Sequence, residues 1–333
     1  MDSEKGDRQS SQKKVMPDFT VAIPTYNGQH RLPEVLDKLR ESQLNTENFS
    51  WEILVVDNNS TDNTAKIVES YQKNWLPNSP LRYCLEKQQG AGFARQRAIK
   101  EAKSELIGFL DDDNLPAQNW IAAAYAFSQE HPKVGAFGSQ IHPLYEVEPP
   151  ENFQKLAPFL AITERGEKPL LYHPSSKLLP PSAGLVVRKQ AWLENVPNKL
   201  ILTGRANGKM LTGEDLEVLS HIQQSNWEIW YNPAMEIYHK IPHWRLEKSY
   251  LISLIRGIGL SRHVTRMVGV KAWQKPLLIP AYMVNDLKKI IFHLWKYKNK
   301  VNTDLIAACE LQLYLSSLIS PFFIYQKIYF GSK

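Results

Sequence analysis

Between Asp18 and Asp113, short apolar runs alternate with stretches of helical pattern, and the runs end in polar residues. Phe19-Thr20-Val21-Ala22-Ile23 reads as a strand, followed by a turn at Pro24-Thr25-Tyr26-Asn27-Gly28 and a helix from about Leu32 to Ser42. Trp51 to Val56 reads as a second strand, breaking at Asp57-Asn58-Asn59-Ser60-Thr61-Asp62. A helix from about Thr64 to Lys73 follows with Asp62 as its cap, then a weaker strand at Leu81 to Leu85. Gly90-Ala91-Gly92 opens a basic helix reaching about Lys103, and a last apolar run ends at Asp111. Strand-helix units repeated in this way predict an α/β chain with a parallel sheet, whose ligands bind beyond the carboxyl ends of the strands.

The last run, Glu105 to Leu110, stops in three consecutive acids, Asp111-Asp112-Asp113. Adjacent carboxylates repel one another, so a fold that keeps them together needs positive charge among them. Strand alternation would turn Asp111 and Asp113 one way and Asp112 the other. That arrangement offers hard oxygen ligands suited to Mg²⁺ or Mn²⁺ shared with substrate phosphates. Read alone, the same acids fit equally well as a solvated turn capping the next helix.

The other strand ends are polar too. Asp57 could accept hydrogen bonds from a nucleobase or ribose, or could form an Asx turn with Asn58, Asn59 and Ser60 beside it. Gly90 to Arg97 would let backbone amides and Arg95 or Arg97 approach a phosphate, although the third glycine of a dinucleotide fingerprint is missing. The plain alternative for Arg95 is a solvated helix residue.

Taken together, Val21 to Asn27, Glu52 to Asp62, Gly92 to Arg97 and Phe109 to Asp113 resemble a family 2 glycosyltransferase of the GT-A fold. The resemblance covers about residues 18–245. It implies that Pro24, Tyr26, Asn27 and Asp57 bind nucleotide and that Asp111 and Asp113 form a DxD motif, with Asp113 the first choice for the metal. Thr25, Asn59, Arg95, Asp111 and Asp112 complete the nucleotide-side candidates, and Asp111 stays a second candidate for the metal. A weaker resemblance, in overall style, is to hormogonium polysaccharide biosynthesis glycosyltransferases.

The second half, residues 114–245, is expected to hold the acceptor. Trp120 to Glu130 reads as a helix and Lys133 to Gly138 as a strand. The proline-rich stretch from Pro143 to Pro181 is irregular apart from a short helix at Phe153 to Ile162. Pro181 to Arg188 reads as a strand that either passes close to the acceptor at Gly184 or simply turns there into the core. Thr212-Gly213-Glu214-Asp215 resembles the family's ED motif, which implies Asp215 as the base that deprotonates the acceptor and Glu214 as its orienting neighbour. Without the resemblance, acids at a helix N-terminus complement the helix dipole. Trp227 to Pro233 and Met235 to His239 read as closing strands. His239 lies where many GT-A enzymes place a histidine on the metal or diphosphate; a structural histidine is the alternative reading, and His243 competes.

From about Arg245 the pattern is helical, basic and aromatic, as in an amphipathic surface on an anionic bilayer or in helices packed on the catalytic domain. Its most apolar stretch, Leu311 to Tyr325, is shorter than a membrane span and holds several polar residues. Residues 1–17 are too polar to bury and read as a disordered tail without the apolar core of a secretory signal. Two cysteines give no disulfide framework and no zinc spacing, which fits a reducing interior and a cytoplasmic site at the inner face of the membrane. The net charge of +6 suits anionic partners, and no compact basic cluster points to nucleic acid.

These readings combine into a metal-dependent, inverting transferase. It would use a UDP- or GDP-linked sugar and a saccharide or lipid-linked saccharide acceptor. A sugar-nucleotide nucleotidyltransferase is a rival, but it would usually open on a glycine-rich basic loop where this chain has Pro24-Thr25-Tyr26-Asn27. A non-catalytic sugar-nucleotide-binding scaffold is the other rival, against which stand the intact acids at 57, 111, 113 and 215.

Overall fold

The computed structural model describes residues 16–42, 49–176, 178–206 and 210–330. The tail expected over residues 1–17 therefore lies outside the described residues, apart from Met16 and Pro17. Four strands, β1 (Phe19–Thr25), β2 (Trp51–Asp57), β3 (Leu81–Leu85) and β4 (Leu106–Phe109), lie parallel in the order β3-β2-β1-β4. Helices α1 (Leu32–Arg40), α2 (Thr64–Lys73) and α3 (Ala91–Glu101) connect them. Val21, Ile23, Ile53 and Val55 bury into one core cluster while Ala22, Leu54 and Val56 bury into another. Burial on both faces is why these strands read as continuous apolar runs.

The second half extends this sheet with mixed strands. β5 (Asn114–Pro116), α4 (Trp120–Glu130), β6 (Val134–Tyr145), β7 (Leu170–Leu171), β8 (Val186–Arg188), α5 (Lys189–Asn195), α6 (Glu214–Gln223) and β9 (Glu228–Ile241) follow in order. β8 runs antiparallel beside β4 and β6, β9 runs parallel to β6, and β5 and β7 run antiparallel to β9. The two closing strands expected at 227–239 are one continuous strand. Its register with β6 jumps from Ser139↔Asn232 to Gln140↔Glu236, so Pro233 sits in a bulge that spares it a ladder bond. The short helix expected at Phe153 to Ile162 is two 3₁₀ turns, Phe153–Lys155 and Ala157–Leu160.

Three long helices complete the chain: α7 (Lys248–Met267), α8 (Lys275–Tyr297) and α9 (Leu305–Phe330). One core cluster joins Phe153, Leu160 and Ile241 to Leu251, Leu254, Ile306 and Leu313, so the helices share a core with residues of the 114–245 segment. Asp286, fully buried on α8, accepts both terminal nitrogens of Arg266 on α7. The apolar stretch read from sequence as too short belongs to α9, whose Leu305–Tyr329 runs 25 residues and contains an 18-residue window of mean hydropathy 1.4. By length and composition that helix could cross a membrane. Its serines face α7, where Ser320 Oγ donates to the Leu260 carbonyl and accepts from the His263 N–H.

Candidate active site

β1 and β2 end in register, Thr25 opposite Asp57, and the chain after β4 delivers the three acids beside them. The acids lie in a turn, not on the strand, and each finds a different partner. Asp112 turns inward: the Thr25 hydroxyl donates to it at 2.6 Å, and Arg31 donates from Nε and Nη2 at 2.8 and 2.9 Å. Thr25 and Asp112 were expected on the nucleotide side. Both are buried and satisfy each other, so they brace the loop after β1 against the acidic turn.

Asp113 is also buried, and a strand pairing 125 positions away in sequence fixes its surroundings. β5 pairs with β9 so that Asn114 stands opposite His239, which brings the imidazole Nε2 to 3.7 Å from Asp113 Oδ2. His239 Nδ1 lies 2.9 Å from the Leu160 carbonyl and must carry the proton there, leaving Nε2 its lone pair. Arg245 bridges the two groups, donating from Nη2 to Asp113 Oδ2 at 2.6 Å and from Nη1 to His239 Nε2 at 2.9 Å. Burial alone would raise the Asp113 carboxyl, but the Arg245 guanidinium, by its charge and its hydrogen bond, opposes that and holds it below the usual carboxylate range. The competing histidine, His243, is 59% exposed and bonded to Glu146.

Asp111, the second candidate for the metal, is held from another direction than Asp113. Arg95 Nη2 holds it at 3.0 Å, and Arg95 Nη1 holds Glu214 at 2.8 Å. Arg95 was expected either at a phosphate or in solvent. It is 6% exposed and lies between two acids, because α3 packs against the N-terminus of α6 and those acids need a cation there. Burial pushes the Glu214 carboxyl up, with Arg95 opposing.

Asp215 accepts the Ser182 N–H at 3.0 Å on one oxygen and the Leu216 N–H at 2.8 Å on the other. A narrow cavity beside it is lined by Arg95, Ser182, Leu185, Trp192 and Glu214. Gly184, expected on the acceptor side, is buried at φ +64 and its carbonyl accepts the Ser139 hydroxyl. It sits in the turn that leads into β8.

At the ends of β1 and β2 the Asp57 side chain bonds to its own loop one residue beyond an Asx turn, the Ser60 N–H donating to Asp57 Oδ1 at 2.8 Å, while Tyr83 OH donates to Oδ2. Asn27 stands at φ 49 and accepts the Thr61 N–H, which locks the ends of β1 and β2 together. Pro24 is half-buried, and Tyr26 and Asn59 are exposed at this edge. Sequence reasoning missed Arg31, Tyr83, Ser182 and the role of Arg245; Arg245 stood out only as one of many basic residues. No group of three or more His, Cys, Asp or Glu side chains among the described residues forms a closed metal cage. Asp113 and His239 nevertheless fit a divalent ion. Their separation is compatible with both lying about 2.1 Å from one ion, and the histidine tautomer is the ligating one.

A mostly parallel half-sheet extended by mixed strands, with acids at the strand ends, defines the GT-A class of α/β fold. Solved structures with that fold lie over most of the chain. Staphylococcus aureus TarS 1-349 in complex with UDP-GlcNAc has a TM-score of 0.51 at 19% identity, covering 92% of this chain and 91% of that one. The mannosyltransferase PcManGT from Pyrobaculum calidifontis, in complex with GDP-Man and Mn²⁺, has a TM-score of 0.56 at 17% identity, covering 92% and 88%. Residues 20–179 match the model of glycosyl transferase family 2, and this part of the chain is a glycosyltransferase family 2 domain. The poly(ribitol-phosphate) beta-N-acetylglucosaminyltransferase TarS of Staphylococcus aureus is 35% identical over 116 residues, which are 35% of this chain and 20% of that protein. The dolichyl-phosphate beta-glucosyltransferase of Dictyostelium discoideum is 36% identical over 100 residues, 28% of this chain and 30% of that one. The matched segments thus span a third or less of these relatives.

Proposed function

We propose that the chain is a metal-dependent, inverting glycosyltransferase. It moves a sugar from a UDP- or GDP-linked donor to a hydroxyl of a saccharide or lipid-linked saccharide, in polysaccharide or glycolipid synthesis. The observation that carries this reading is the Arg95 bridge, which ties Asp111, in the acidic turn after β4, to Glu214 and thereby to Asp215 at the start of α6. Donor side and acceptor side are thereby one braced constellation. The printed activities and ligands of the relatives and fold neighbours support the same class.

Pro24, Tyr26, Asn27, Asp57 and Asn59 would take the nucleoside at the ends of β1 and β2. Asp113 and His239 would hold Mg²⁺ or Mn²⁺, which when bound neutralises a diphosphate and makes it a better leaving group. Asp215 accepts the proton of the acceptor hydroxyl as that oxygen bonds to the anomeric carbon. The bond from that carbon to the diphosphate oxygen breaks on the opposite face, so the configuration inverts. The two backbone N–H groups on Asp215 fix the carboxylate, and each oxygen keeps a second lone pair for the acceptor. Glu214, locked on Arg95, positions its neighbour.

The test is Asp215→Asn. Donor binding should persist while transfer falls by about 10²–10⁴-fold, the usual contribution of a general base. An amide cannot accept on both sides, so one N–H loses its partner and stability should also fall by about 1 kcal/mol. Near-native transfer by this variant, with Glu214→Gln inactive instead, would move the base one residue.

The same reading seats the enzyme peripherally on the cytoplasmic face of an anionic membrane. Trp273, Leu277, Ile291, Phe292 and Trp295 are exposed on or just before α8, and Phe322, Ile328 and Tyr329 on α9. Lys288, Lys289, Lys296, Lys298 and Lys300 are exposed beside them, and aromatic residues with flanking lysines suit an anionic lipid surface.

A further inference from the structure

Arg245 occupies the position between Asp113 and His239 that the reading above gives to a divalent ion. Its guanidinium donates to Asp113 Oδ2 at 2.6 Å and to His239 Nε2 at 2.9 Å. His239 Nε2 has one lone pair, because Nδ1 carries the ring proton against the Leu160 carbonyl. That lone pair can accept the arginine N–H or bind a metal ion, and it cannot do both. Asp113 is buried, so two cations on the same carboxylate oxygen would repel strongly. Guanidinium and ion therefore exclude each other.

The resting position of Arg245 is also incomplete. Its Nε is buried without a hydrogen-bond partner, and a side chain held in that way loses less on leaving than a fully satisfied one. The residue stands on a single 3₁₀ turn, His243–Leu246, between β9 and α7, beside the half-exposed ring of Trp244. A short turn gives the side chain room to swing without disturbing the sheet. Its partner once released would be the most concentrated negative charge nearby, a bound diphosphate.

We propose that Arg245 is a resident cation that keeps the metal position closed until nucleotide arrives. It competes with the divalent ion for Asp113 and His239, so the ion alone binds weakly and ion with nucleoside diphosphate binds well. The proposal rests on the assignment of Asp113 and His239 as the metal pair. It goes further by making arginine departure a condition of metal entry. Arg245 is thus a positioning residue for donor binding.

The experiment is Mn²⁺ titration of the full chain by electron paramagnetic resonance, without nucleotide and then with UDP or GDP. Wild type, Arg245→Met, Arg245→Gln, Arg245→Lys and Asp113→Asn/Arg245→Met are compared, with thermal melts to confirm folding. Arg245→Met and Arg245→Gln should bind Mn²⁺ alone about 5–150-fold more tightly than wild type, the usual range of coupling between two sites. Arg245→Lys, which keeps the charge, should gain less, and the gain should vanish in the double variant. The two uncharged substitutions guard against one failing to fold. Wild type that takes Mn²⁺ with UDP or GDP, beside uncharged variants that gain nothing for Mn²⁺ alone, overturns the role of Arg245 and leaves the metal site standing. A gain that survives Asp113→Asn overturns it as well. No Mn²⁺ binding by any protein, with or without nucleotide, overturns the metal pair and this proposal with it.

Discussion

Replacing Arg95 by methionine removes the cation that joins the two halves of the site while keeping most of the side-chain volume. Arg95 is 6% exposed and Glu214 8%, so little solvent remains to replace the lost 2.8 Å contact. Breaking one partner out of a buried ion pair costs about 3–5 kcal/mol. At about 2 °C per kcal/mol for a chain of this size, the melting temperature should drop by about 6–10 °C. The loss should depend on pH, and its sign follows from Glu214. Burial already raises that carboxyl above its unfolded value, and without Arg95 it rises further. Between its unfolded and folded values the native state then binds more protons than the unfolded one, so stability falls as pH rises through that window. Thermal melts of wild type and Arg95→Met from pH 5 to pH 8 should therefore diverge with rising pH, with the variant worst at the alkaline end. A variant that melts within about 1 °C of wild type at pH 8, or whose deficit grows on acidification, would refute the bridge.

The remaining expectations concern a turn and a surface. Gly184→Ala places a methyl 2.5 Å from Ser139 Oγ at φ +64, so it should destabilise by at least about 1–2 kcal/mol in a denaturant titration. The specific activity of the folded fraction should not change if the residue is only a turn. The chain should sediment with anionic phospholipid vesicles at low ionic strength and be released by salt, and Phe292→Ser with Trp295→Ser should weaken that binding by about tenfold or more. Equal binding to neutral vesicles would remove the electrostatic part of that reading.

β1, β2 and β4 were legible because both of their faces are buried, which writes each as a largely apolar run bounded by polar turns, whereas β3 carries Arg82 and an exposed Leu85 and reads more weakly. Leu81–Leu85 and Trp120–Glu130 even keep the boundaries expected from sequence. The second half was less legible where partners lie far apart along the chain. β9 looked like two strands because Pro233 ordinarily ends one, and only the register jump against β6 lets the strand continue. The acids were legible as a motif, but their division of labour was not. Nothing local distinguishes Asp112, which faces Thr25 and Arg31, from Asp113, which faces His239; the β5–β9 pairing decides it.

The basic residues were hardest to read. Arg95 lies in a helix with Arg97 and Lys100, and sequence gives each the same solvated appearance. Only Arg95 meets acids delivered from the turn after β4 and from α6. Arg245 likewise looked like the first of a basic series running into α7, yet it contacts both residues expected to hold an ion. In both places an arginine, buried at 95 and partly buried at 245, stands where acids would otherwise repel one another or remain unpaired. The two differ in how well they are held. Arg95 joins acids on two packed elements, so its removal should register first as lost stability. Arg245 reaches in from a single 3₁₀ turn to a carboxylate and an imidazole that a divalent ion could take over, so its removal should register first as changed metal affinity. Melting curves and Mn²⁺ titrations on the two variants would separate a brace from a placeholder.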